Sequence, residues 1–89
     1  MKEYTATNLK VDGTKITLDV DGKTLTADFA EWGEIIKKIG GEANVSKAKL
    51  ISEDLLEFPN DVHVEVEDFV ELAQQQNTPV SAKLHKALA

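Results

Sequence analysis

The chain has 89 residues and a mass of 9.8 kDa, which holds one small domain and leaves no room for a second. Hydrophobic residues make up 42% and charged residues 29%, a balance that argues against disorder and fibrous repeats, and the lack of cysteine excludes disulfides, thiolate metal sites and cysteine nucleophiles. Net charge is −6 and all ten basic residues are lysine; without the guanidinium fork that reads guanine edges and phosphates, direct nucleic-acid binding is disfavoured.

No apolar run approaches the length of a signal-peptide core or a membrane span, so no membrane partner and a cytoplasmic location are expected. Asp12-Gly13 and Asp21-Gly22 read as two-residue hairpin loops in which Gly supplies the positive φ. Closing on 21–22 sets Leu18 opposite Leu25 and Ile16 opposite Ala27; closing on 12–13 sets Leu9 opposite Ile16. Leu9, Val11, Ile16, Leu18, Val20, Leu25, Ala27 and Phe29 then line one face of a three-stranded meander, with Lys10, Lys15, Thr17, Asp19, Thr24 and Thr26 on the other.

Asp28 with Glu31 makes a helix N-cap and partial capping box, and Trp32, Ile35, Ile36 and Ile39 recur at helical spacing, so a short helix is expected to cover the meander. Gly40-Gly41 supplies a left-handed stop. Trp32 is read as a core residue. Over residues 46–58 the pattern fits either a helix capped by Ser46 or a hairpin; the hairpin, with strands Lys49–Ser52 and Leu55–Phe58 about Glu53-Asp54, is preferred because Phe58 precedes Pro59 and is pushed out of the helical region. Asn60-Asp61 turns the chain, Val62, Val64 and Val66 alternate with polar residues, and residues 67–76 form a helix burying Phe69, Val70, Leu72 and Ala73. Thr78-Pro79 opens a last segment with Val80, Leu84 and Leu88 every fourth position. The expected fold is α+β: a three-stranded antiparallel meander and a second short hairpin packed against two or three short helices. Residues 1–77 form the domain, and residues 78–89 a helical tail, docked or frayed.

The charge is unevenly placed. Residues 1–52 hold eight acids and eight lysines, whereas residues 53–71 hold eight acids and no lysine. Those acids, Glu53, Asp54, Glu57, Asp61, Glu65, Glu67, Asp68 and Glu71, are either a solubilising face or a contact surface for a basic partner. If residues 61–67 are extended, Asp61, His63, Glu65 and Glu67 share one face with oxygen and nitrogen donors, a row able to join a metal site, although polar strand faces are commonly just solvated. No nucleophile elbow or phosphate-cradling glycine loop is present, and so small a core leaves little volume for a cleft. No enzyme, cofactor or resident metal is expected.

Several short motifs in this order resemble the bacterial family called domain of unknown function 2442. The resemblance lies in Ile16-Thr17-Leu18-Asp19-Val20-Asp21-Gly22-Lys23-Thr24-Leu25, in Phe29-Ala30-Glu31-Trp32, in Lys49-Leu50-Ile51, in Leu56-Glu57-Phe58-Pro59 and in the run from Asp61 to Val70, together spanning roughly residues 4–73. Phe58 stands where the family has Trp, and Asp61, Val62 and His63 stand where it has an Asp-Glu-Asp triplet. The resemblance implies a small α+β domain without assigned activity, in a family often encoded beside proteins that resemble toxin–antitoxin partners. The leading expectation is a non-catalytic, antitoxin-like regulatory module that binds a basic protein through residues 53–71. A nucleic-acid-mimicking inhibitor of a DNA- or RNA-binding protein is the alternative, and a metal- or small-molecule-binding domain the third.

Overall fold

The computed structural model describes residues 4–76; the segment expected from Thr78 onward lies outside them. Strands β1 (Ala6–Asp12), β2 (Lys15–Val20) and β3 (Lys23–Asp28) form an antiparallel sheet in that order. Asp21 and Gly22 both take positive φ, 50° and 85°, as a type I′ loop requires. Leu18 pairs with Leu25 and Ile16 with Ala27, the register the sequence predicts.

The first hairpin corrects its expected register. It closes on Gly13 and Thr14, pairing Asp12 with Lys15 and Val11, not Leu9, with Ile16. Gly13 (φ 63°) thereby occupies the first loop position, where a type II′ turn takes its glycine. Two residues further back a bulge sets Asn8 and Leu9 together against Leu18. Asn8 has φ 56°, a left-handed conformation that Asn tolerates better than most residues, and its amide donates to Asp19 Oδ2 at 2.7 Å. The extra residue switches the alternation, so Ala6 rather than Thr7 turns inward and is buried.

After β3 the expected helix is split. Asp28 does act as a cap, accepting the Ala30 N–H at 3.0 Å, but it opens only a 3-10 turn, Phe29–Glu31. Trp32 leaves the helical region (φ −103°, ψ 73°) and α1 starts afresh at Gly33, running Gly33–Ile39; glycine is a poor residue through which to propagate a helix. Gly40 ends α1 at φ 95°, with the Gly41 N–H on the Ile36 carbonyl (2.9 Å) and the Gly40 N–H on Lys37 (3.4 Å), the paired bonds of a Schellman stop. A second 3-10 segment, Glu42–Lys47, buries Val45 and has no counterpart in the sequence reading.

Strands β4 (Lys49–Ser52) and β5 (Leu55–Phe58) form the expected hairpin about Glu53-Asp54, and β6 (Val62–Glu65) extends it into a second three-stranded antiparallel sheet. Asn60 and Asp61, φ 67° and 61°, make the β5–β6 turn. The last helix, α2 (Val66–Gln76), begins where β6 ends.

One buried apolar cluster draws on both sheets: Ile16, Leu18 and Ala27 from the first, Leu56, Phe58 and Val64 from the second, and Val66, Phe69, Val70 and Ala73 from α2. Phe29 sits at the junction, its ring 5.7 Å from Trp32, 5.5 Å from Phe58 and 6.3 Å from Phe69. The closest helical approach to the meander is by α2 along β3, whereas α1 lies against β6 and the two 3-10 segments; this corrects the expectation that α1 is the meander's main cover. Gln76 fixes the α2 docking by gripping one backbone unit of the β3 edge, accepting from the Asp28 N–H (2.6 Å) and donating to the Asp28 carbonyl (2.8 Å). The Ala6 N–H bonds the Glu53 carbonyl (2.7 Å) and the Val66 N–H the Asp54 carbonyl (2.9 Å), so the β4–β5 turn joins the start of β1 to the start of α2. Among the described residues no polar or charged side chain is buried, and no helix is long and apolar enough to cross a membrane.

Candidate functional site

With the interior wholly apolar, the chemistry of the described residues lies on the surface, where the acids fall into two kinds. In the first sheet Asp19, Asp21 and Asp28 are engaged, whereas Asp12 has no such partner among the described residues. Asp19 accepts from Asn8 (2.7 Å) and Thr24 (2.7 Å), and these hydrogen bonds, Asn8 first, hold its carboxyl below the ordinary 3.8. Asp28 accepts from Thr14 (2.6 Å) and from the Ala30 N–H, and is lowered for the same reason, Thr14 first. Asp21 accepts the Thr5 N–H at 3.0 Å. The depression lined by Thr5, Thr7, Asp19, Asp21, Gly22 and Thr24 therefore has its donors and acceptors largely committed to one another.

The acids of residues 53–71 are distributed over three places. Glu53 and Asp54 form the β4–β5 turn, with Ser52 Oγ donating to Asp54 Oδ1 at 2.7 Å, and Glu65 stands beside this turn, paired with Leu55. On the outer face of the second sheet Glu57 is paired with His63, Glu57 Oε2 lying 3.3 Å from His63 Nε2; Asp61 completes a trio whose donor atoms all fall within 4.8 Å of one another. Glu67, Asp68 and Glu71 lie on α2, the first two in its opening turn, where the helix dipole favours negative charge.

The expected metal-capable row is thus rearranged. Residue 66 onward is helical, so Glu67 leaves the face of Asp61 and His63, and Glu57 from the neighbouring strand takes part instead.

A further site joins residues the sequence kept apart. A groove of about 280 Å3 between the first 3-10 turn and α2 is lined by Glu31, Trp32, Asp68, Glu71, Leu72 and Gln75. Trp32 and Leu72 are half-buried there, and Glu31, Asp68 and Glu71 are exposed. Among the described residues, none of the three carboxylates is in an ion pair. Asp68, Glu71, Leu72 and Gln75 follow helical spacing and mark one face of α2, a signal present in the sequence; that this face meets Trp32 depends on how α2 returns along β3. The expectation that Trp32 is a core residue is corrected in part: the indole is only partly buried against the core, in tilted contact with Phe29, and it also lines the groove.

No protein-family model, curated protein or solved structure matches this chain.

Proposed function

We propose that this domain is a non-catalytic regulatory module of antitoxin-like kind that binds a basic protein partner through the acidic surface of residues 53–71. The observation that carries this reading is the contrast in commitment: Asp19, Asp21 and Asp28 of the first sheet accept local hydrogen bonds, while Asp68 and Glu71, with Glu31 beside them, line an open groove around a half-buried tryptophan. Unpaired carboxylates round an apolar floor favour a cationic surface, since they supply both attraction on approach and an area to desolvate on contact. Immobilised full-length protein should retain a basic protein that salt elutes, and the triple variant Glu57→Gln, Glu65→Gln, Glu71→Gln should retain much less of it. Equal retention by parent and variant would count against the reading.

A second reading, a divalent-cation site, is favoured by the convergence of Glu57, Asp61 and His63, two carboxylates and an imidazole of the kind zinc accepts. Calorimetric titration with zinc, repeated on Asp61→Asn, tests it: saturable binding lost in the variant supports a site, and equal heats in the two refute it.

A further inference from the structure

We propose that the groove between the first 3-10 turn and α2 receives an arginine side chain of the basic partner, stacked on Trp32 and clasped by the carboxylates of Glu31, Asp68 and Glu71. The inference rests on the binding-module reading and names its central contact. The aromatic wall comes first. Phe29 supports the indole at 5.7 Å with the rings tilted by 44°, and Leu72 is half-buried beside it in the same groove. Among the described residues the indole N–H has no hydrogen-bonding partner, and the backbone break at Trp32 sets the residue at the elbow between the 3-10 turn and α1.

Charge then selects the occupant. An anion is repelled by three carboxylates, and a purely apolar side chain would strip them of water with no hydrogen bond in return. A cation answers both objections. Guanidinium fits better than ammonium, because it is flat enough to lie on an indole and carries donors in its plane that can meet two carboxylates at once. The chain contains no arginine of its own, so the ligand proposed is one that its own sequence cannot supply.

Trp32 is the sole tryptophan, so its emission reports the groove directly. The full-length protein is titrated with tetra-arginine, tetra-lysine and tetra-citrulline peptides, unlabelled for tryptophan emission and fluorescein-labelled for anisotropy. Expected are a Trp32 emission change and an anisotropy rise that saturate together with tetra-arginine, several-fold weaker binding of tetra-lysine, and none of the uncharged citrulline peptide. The double variant Asp68→Asn, Glu71→Gln, whose side chains are exposed and outside the core, should weaken tetra-arginine by about tenfold through loss of charge-assisted hydrogen bonds. Trp32→Phe, checked for an unchanged circular dichroism spectrum, should weaken it less while keeping the preference for arginine. Tetra-arginine binding that leaves Trp32 emission unchanged and survives the double variant would overturn the groove assignment while leaving a basic-partner surface elsewhere. Equal affinity for tetra-lysine would overturn the choice of arginine. Failure of every cationic peptide to bind at physiological salt would overturn both the groove and the reading beneath it.

Discussion

The two sheets use similar chemistry to different ends. In the first, Thr17 and Thr26 bond across strands at 2.9 Å, and aspartates are tied to Asn8, Thr5, Thr14 and Thr24; its polar face is a hydrogen-bonded fabric that holds turns and a bulge in place. In the second sheet and α2, carboxylates are more numerous and less committed, with Glu57–His63 and Ser52–Asp54 as their side-chain contacts among the described residues. An aspartate that accepts two local hydrogen bonds is conformational machinery; one that accepts none is available to a partner. Negative charge is therefore read better by what it touches than by how much of it a segment carries.

The largest effect should come where the two regions meet. Phe29 is fully buried and touches rings from β5 and α2, so Phe29→Ala should cost about 3–5 kcal/mol, with Leu18→Ala in the first sheet costing about 2–5 kcal/mol. Urea unfolding followed by Trp32 emission and by far-ultraviolet circular dichroism should give coincident transitions for each variant. Separated transitions would mean that the sheets are held by separate cores, against the single cluster seen here.

The bulge is the next place to press, because it belongs to the first sheet alone. Asn8→Val places a branched side chain at φ 56° and should cost about 1–2 kcal/mol, in addition to the lost bond to Asp19, whereas Asn8→Gly should cost less because glycine takes that φ freely. Denaturation midpoints in the order parent, Gly, Val are expected; a Val variant as stable as the Gly variant would show that the left-handed conformation at residue 8 carries no cost.

How far such features are legible in the sequence depends on how local they are. The β2–β3 register and the Asn60-Asp61 turn follow from residues whose own backbone preference fixes the loop, and the β4–β5 hairpin follows from the constraint that Pro59 puts on Phe58. Asp12-Gly13 misleads because glycine can serve either loop position, and choosing the other shifts the pairs of Lys10, Val11 and Asp12 by two residues, a shift the bulge cuts to one at Ala6 and Thr7. The bulge at Asn8 is invisible to an alternation rule, since it breaks the rule only once, and the interruption at Trp32 hides inside a helical stripe that stays in phase across it. The eight acids were visible as a segment, yet their division among a turn, a sheet face and a groove depends on β6 joining β5 and on α2 lying along β3. Glu31 and Trp32 enter the groove through that same long-range return.

Acid titration sharpens the contrast within the first sheet. Asp19 and Asp28 are held below the ordinary 3.8 by hydrogen bonds present only in the folded chain, those from Asn8 and Thr14 leading. Each contributes stability that is fully present above the unfolded value and is lost as pH falls through the lower folded value. Stability of the parent should therefore fall as pH drops below about 4, the side on which these carboxylates protonate. Asp19→Asn and Asp28→Asn should each start lower at neutral pH and decline less on acidification, measured as urea midpoints across the acid range. A parent-like slope in both variants would place the acid sensitivity on other carboxylates.

The smallest effect on the fold should be the most informative about function. Glu57, Glu65 and Glu71 are outside the buried cluster, and the one close side-chain contact among them, Glu57–His63, has both side chains about two-fifths exposed, a setting in which even a charged pair contributes little to stability. Changing all three to Gln should move the unfolding free energy by no more than about 0.5 kcal/mol per site. The same changes should slow association with a captured basic partner and flatten its dependence on ionic strength, because steering acts on encounter before any interface is packed. Stopped-flow association rates at several salt concentrations separate the alternatives: a slower, flatter response with the fold intact marks these acids as the approach surface, while superimposable rates and slopes would reduce them to a solubilising coat.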